Sequence, residues 1–212
     1  MADWATIADL GTAAGTALLA VATFASTRSA GRATATAERA LMESLRPILV
    51  PSRWDDPTQE IRFLDGRWLP VHGGRAAVKV TDKVFYLVMS VRNAGRGLAV
   101  LHGWDMPAEE HSPHRDPADF RRLTRDVYVS AGDLGFSQVT VRDPTSQEFR
   151  TVCDTVTSGG ELWLDILYGD AERTQRVITR FVVSRSPVAD STEHDWALTA
   201  NRHWNLDRPD PR

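Results

Sequence analysis

The chain has 212 residues, 42% hydrophobic and 25% charged, with a formal net charge of −3. That length allows one domain of ordinary size plus an appended element, and the composition excludes a disordered chain. The charge balance gives no general attraction to nucleic acid, and a lone cysteine, Cys153, excludes an intrachain disulfide or a cysteine metal cluster.

The first element is set by the run Leu10–Thr27, eighteen consecutive uncharged residues followed by Arg28 and Arg32. A signal peptide would carry basic residues before its apolar core, whereas the flank here holds Asp3 and Asp9. A membrane span needs about 20 mostly apolar residues to cross about 30 Å of hydrocarbon. Leu10, Leu18, Leu19, Val21 and Phe24 contribute roughly −1.5 to −3 kcal/mol to insertion, and four threonines and two glycines oppose them. Trp4 stands where an interfacial aromatic would anchor the helix, and Gly11 and Gly15 form a GxxxG pair suited to helix packing in lipid. Arg28, Arg32 and Arg39 follow the run and no basic residue precedes it, which orients the C-terminal domain toward the cytoplasm. Ile7, Leu10, Ala14, Ala17, Val21 and Phe24 also repeat at three- and four-residue spacing, the seam of a soluble, self-associating helix. Either reading predicts one long helix over about 4–45, ending before Pro47.

From Ile48 onward the pattern alternates. "EIRFLDGRWLPV" turns at Asp65-Gly66, a hairpin signal because both positions tolerate positive φ. "VKVTDKVFYLVMSVRN" turns at Thr81–Lys83; Phe85, Leu87, Met89 and Val91 share one face, and Tyr86, Val88, Ser90 and Arg92 the other. A third pair joins strands near 161–168 and 175–184 through Gly169–Thr174, and shorter apolar runs at 98–104, 127–130, 136–142 and 149–156 complete about eight strands. Many short strands without strand–helix alternation predict a mainly β chain: an antiparallel, immunoglobulin-like sandwich at 46–212 behind a helical segment at 1–45.

The pieces "RPILV", "SVRNAGRGLAV" and "LYGDAERTQRVITRF" resemble uncharacterised actinobacterial proteins in which an N-terminal hydrophobic helix and linker lead into a small immunoglobulin-like sandwich. Leu98 departs from the proline often found at that place. The resemblance implies a location and a fold, and no particular activity.

Candidate chemistry is sparse. Asn93-Ala-Gly-Arg-Gly97 precedes a strand and not a helix, so it reads as a strand end where glycines supply a bulge or positive φ, not as a phosphate loop. Glu109, Glu110, His111, His114 and Asp116 have metal-ligand chemistry, but Pro107, Pro113 and Pro117 mark a surface loop without a companion motif. Arg121, Arg122 and Arg125 lie beside Phe120 and Tyr128, and Asp116, Asp119 and Asp126 are expected to neutralise them. His194 and Asp195 have no serine elbow to complete a triad, and Trp196 and Trp204 are expected to clamp the tail onto the sheet. The sequence therefore predicts a single-pass, cytoplasm-facing membrane protein acting as an interaction module for an unknown protein partner, with no catalytic residue, cofactor or nucleic acid. The alternative is a cytoplasmic protein that forms homo-oligomers through its helix, and behind it stands an enzyme or metal-binding protein using the 109–116 loop.

Overall fold

Small and straight-chain residues dominate the first 44 positions, and they form a single helix, α1, Trp4–Ser44. The computed structural model describes residues 4–185 and 195–208, with α1 side chains described from Gly15 onward. The chain divides into two compact units, Met1–Ser44 and Leu45–Arg212. Along α1 the Thr23, Thr34 and Thr36 hydroxyls donate to the carbonyls of Leu19, Ala30 and Arg32 at 2.7, 3.0 and 3.0 Å, so the threonines are satisfied within the helix. Among the described residues no helix is long and apolar enough to cross a membrane. The physical reason is apolar character: Gly15–Thr27 gives about 20 Å of uncharged helix at about 1.5 Å per residue, and Arg28 and Arg32 follow it. The side chains of Trp4 and Leu10 lie outside the described residues.

The second unit is mainly β, an antiparallel sheet curled into a sandwich-like fold. Its strands are β1 (Leu49–Pro51), β2 (Gln59–Arg62), β3 (Trp68–Val71), β4 (Arg75–Val80), β5 (Phe85–Asn93) and β6 (Ala99–Asp105). There follow β7 (Arg121–Val129), β8 (Leu134–Val141), the helix α2 (Gln147–Ser158), β9 (Leu162–Gly169), β10 (Arg176–Arg185) and β11 (Asp195–Asn205). Nine strands form one sheet in the order β1-β5-β4-β11-β10-β9-β6-β7, with β8 on the free side of β5, and β2-β3 form a separate hairpin.

The three expected hairpins form. Gly66 takes φ +82° in the β2-β3 turn, where Phe63 N–H donates to Arg67 O at 2.8 Å. Thr81 closes β4-β5 by exchanging bonds with Val84, and β9-β10 pair from Gly169↔Arg176 to Leu162↔Val183. The two faces of β5 divide as their alternation predicts: Phe85, Leu87, Met89 and Val91 join the main core, while Tyr86 and Val88 pack with Ile61, Phe63, Leu69 and Val71 of the β2-β3 hairpin. Both faces of β5 are buried, so its hydrophobic run is nearly continuous.

Two elements differ from expectation. Residues 149–156 are not a strand but the middle of α2, because Phe149, Val152 and Val156 lie at helical spacing and the ends are capped. Ser146 Oγ accepts from Phe149 N–H at 3.1 Å, and Gly159 stops the helix at φ +73°. The tail at 195–205 does more than clamp the sheet: as β11 it lies inside the sheet between β4 and β10, with Trp196 buried in the core.

Asn93-Ala-Gly-Arg-Gly97 has a structural job, though not through positive φ. Buried Asn93 accepts from Ile48 and Gly95 N–H (3.1 and 3.0 Å) and donates to Gly97 and Val129 carbonyls (2.6 and 3.0 Å). A Cβ on Gly97 would sit 1.8 Å from Leu45 O, so only glycine lets the incoming chain pass. Next to it, buried Arg46 grips Asp207 through Oδ1 and Oδ2 (2.9 and 2.6 Å) and Asn205 Oδ1 (3.2 Å), tying the start of the domain to its last strand.

Candidate functional site

Strand β6 breaks register at His102. Toward β9, Leu101 faces Tyr168 and Gly103 faces Leu167, so His102 is an extra residue without a partner. Toward β7, Leu101 faces Val127 and Gly103 faces Arg122. A bulge of this kind re-aims one side chain out of the regular alternation. His102 Nε2 is buried and makes no hydrogen bond among the described residues. A buried polar atom without a partner costs about 1–3 kcal/mol.

His102 lines a cleft of about 840 Å³, within the roughly 300–1,000 Å³ range of small-molecule sites. Leu101, Phe120 and Leu167 supply apolar wall, and Arg122, Arg173 and Arg176 line it too, with Asp126 the carboxylate among the described lining residues. None of these three arginine side chains makes a hydrogen bond or ion pair among the described residues. Burial lowers the basicity of His102, and the charges of Arg173 and Arg176 lower it further against Asp170 and Asp126. The imidazole is thereby biased toward its neutral form.

Arg173 is held in place by its turn. It is the non-glycine residue at positive φ (+59°) among the described residues, a conformation that costs a side-chain-bearing residue about 1–2 kcal/mol. The Asp170 carboxylate accepts from Thr174 N–H at 2.8 Å and Gln175 N–H at 3.2 Å and from the Thr174 hydroxyl, and Arg173 N–H donates to Asp170 O at 3.3 Å. These bonds fix the β9-β10 turn around the strained residue. The described lining is cationic beside an apolar surface. Cys153 lies half-buried on α2, where burial and then Asp154 push its thiol up, away from the thiolate that reactivity requires.

The residues singled out in the sequence lie elsewhere. Glu110 and His111 are exposed on the loop after β6, and Arg180 Nη1 donates to the Glu110 and Ser112 carbonyls at 2.6 and 2.7 Å. His114 meets the Trp204 ring edge-on at 5.4 Å and donates from Nδ1 toward Arg115 O at 3.0 Å. Asp116 accepts from Ala118 N–H at 2.9 Å and starts a single 3-10 turn, Pro117–Asp119. Among the described residues no group of three metal-capable side chains forms. Arg115 of the loop pairs with Asp105 of β6 at 3.3 Å.

Arg121, Arg122 and Arg125 are not neutralised by their sequence neighbours. Strand β7 separates them: Arg121 pairs with Glu148 of α2 at 2.5 Å, Arg125 donates to Gln138 and to Arg62 O, and Arg122 lines the cleft. Asp195 accepts from Arg75 at 3.1 Å and meets His72 Nδ1 at 3.3 Å, while His194 lies outside the described residues. His102 was missed because its signal is a register shift against β7 and β9, strands whose pairing with β6 its own neighbours do not announce.

No protein family and no curated protein matches this chain. A crystal structure of β-glucosidase from Kluyveromyces marxianus is similar over 60% of this chain and 13% of that one, with 13% identity and a TM-score of 0.21. A likeness of that size carries no argument about fold or activity.

Proposed function

We propose that the protein is a non-catalytic interaction module carried at a membrane by α1, with its β domain on the cytoplasmic side. The observation that carries this reading is the helix surface: Leu18, Leu19, Val21 and Phe24 are 67–71% exposed in an uncharged stretch with arginines on its C-terminal side only. Exposed apolar side chains of this size gain free energy on leaving water, and the arginines suit the cytoplasmic boundary. The Thr23 and Thr27 hydroxyls, bonded to the Leu19 and Thr23 carbonyls of their own helix, remove part of the cost that such residues bring to lipid. On this reading the chain is kin to the actinobacterial helix-plus-sandwich proteins it resembles.

The full-length protein should remain with the membrane pellet after a carbonate wash. Leu18→Arg adds about 2.5–3.5 kcal/mol at mid-membrane, comparable to the whole apolar contribution of the segment, and should move the protein to the soluble fraction. A reporter fused after Arg212 should face the cytoplasm; external labelling would overturn the orientation. A wild type that is already soluble, with Leu18→Arg changing only its association state, would replace this reading with a self-associating helix.

A further inference from the structure

We propose that the cleft between β6, β7 and the β9-β10 turn is a binding site for a phosphate monoester, its dianion held by Arg122, Arg173 and Arg176 and its organic part seated on Phe120 and Leu167. Arg46, Arg92, Arg121 and Arg180, among others, each hold a carboxylate within 4 Å. At the cleft three arginines line one cavity and hold no carboxylate among the described residues, with Asp126 the carboxylate of the described lining. Like charges gathered at one cavity repel unless an anion joins them, and guanidinium geometry suits phosphate oxygens in bidentate pairs. The excess of cations over carboxylate in the described lining favours an anion of more than one charge.

A further feature points to the same occupant. Arg173 is itself held at positive φ, with four bonds around Asp170 fixing its turn. Backbone strain kept by so many local bonds is a mark of sites where the side chain's position matters. The apolar wall of Phe120 and Leu167 asks for an aryl or acyl group next to the phosphate and disfavours inorganic phosphate alone.

The same chemistry occurs on a lipid with a phosphomonoester headgroup and on a soluble phosphorylated metabolite, and the test separates them. Full-length protein in nonionic detergent is titrated with phenyl phosphate by calorimetry, then with mixed micelles containing phosphatidic acid or phosphatidylcholine. One-to-one saturation by phenyl phosphate is expected. Arg173→Gln with Arg176→Gln should weaken it at least tenfold while the melting temperature stays within a few degrees. Asp126→Asn should tighten it, and Arg142→Gln, on the far surface pair with Asp65, should leave it unchanged. Competition by phosphatidic acid and not phosphatidylcholine assigns the natural ligand to a lipid; saturation by phenyl phosphate without such competition assigns it to a soluble phosphate. No saturable heat from either probe, or binding indifferent to the paired arginine variant, overturns the proposal. Detergent holds the chain in solution whatever α1 does, so a failure here leaves the role of the helix untouched.

Discussion

Two arginines of β10, four residues apart on one face of the strand, live in opposite surroundings. Arg180 is almost wholly buried, donates from Nε and Nη2 to the two oxygens of Asp165 at 2.7 Å each, spends Nη1 on two loop carbonyls, and has the Trp204 ring 5.0 Å from its guanidinium. Burial pushes the Asp165 carboxyl above its ordinary range against the pull of Arg180. Arg176 stands exposed at the cleft with Arg122 and Arg173, its side chain without a carboxylate among the described residues. The first arginine is part of how the domain holds its loop. The second contributes charge to a cavity and nothing to packing. The first arginine is structural, and the second is assigned by the proposal to an anion from outside the fold.

The sharpest way to break the comparison is at Arg180. Arg180→Leu strands a buried carboxylate and should cost about 3–5 kcal/mol, read as a shift in the urea midpoint with little change in slope. Combining it with Asp165→Leu should recover most of that loss, because the uncompensated charge is then gone. If the single variant were as stable as wild type, the distinction drawn here between the two arginines would fail.

A smaller effect follows from His102. Its protonated form is disfavoured in the folded state by burial and by Arg173 and Arg176. The unfolded chain then binds more protons over the interval between the lowered folded value and the ordinary value of about 6.5. Stability is complete above that ordinary value and falls as pH drops below it. Unfolding free energies at pH 7.5 and pH 5.2 should therefore differ more in wild type than in His102→Gln; equal slopes would remove the buried-imidazole account. Working above pH 5 keeps Asp56, Asp65 and Asp207 ionised, since their carboxyls lie below the ordinary range.

At the turn, Arg173→Gly relieves the positive-φ strain and should raise stability by about 0.5–1 kcal/mol while weakening phenyl phosphate binding. A gain in stability joined to a loss of binding is what a strained functional residue predicts; a loss of both would make Arg173 structural. The smallest change is expected at the rim. Arg122→Gln and Arg176→Gln should each leave stability within about 0.5 kcal/mol of wild type, by thermal melting, or raise it slightly by easing repulsion.

The sequence determined the local elements because their signals lie within one turn or one pair of strands. Asp65-Gly66 and Thr81–Val84 fixed two hairpins, the alternation in β5 assigned its two faces, and Pro47 closed the helical segment. The 147–158 helix was written there as well, in Ser146, Gly159 and the spacing of Phe149, Val152 and Val156, but its short apolar run imitates a strand when caps are not weighed. What only the tertiary structure decided is pairing at a distance. Nothing adjacent to Trp196 shows that its strand enters the sheet between β4 and β10, because sheet order follows from packing and not from periodicity. Arg121, Arg122 and Arg125 read as one basic patch until strand geometry sends them to Glu148, the cleft and Gln138. His102, Arg122, Arg173 and Arg176 become one site through a bulge and a strained turn that bring together charges separated by up to seventy-four positions. Electrostatics acts through space, so a site made of such charges is visible only once the chain has folded.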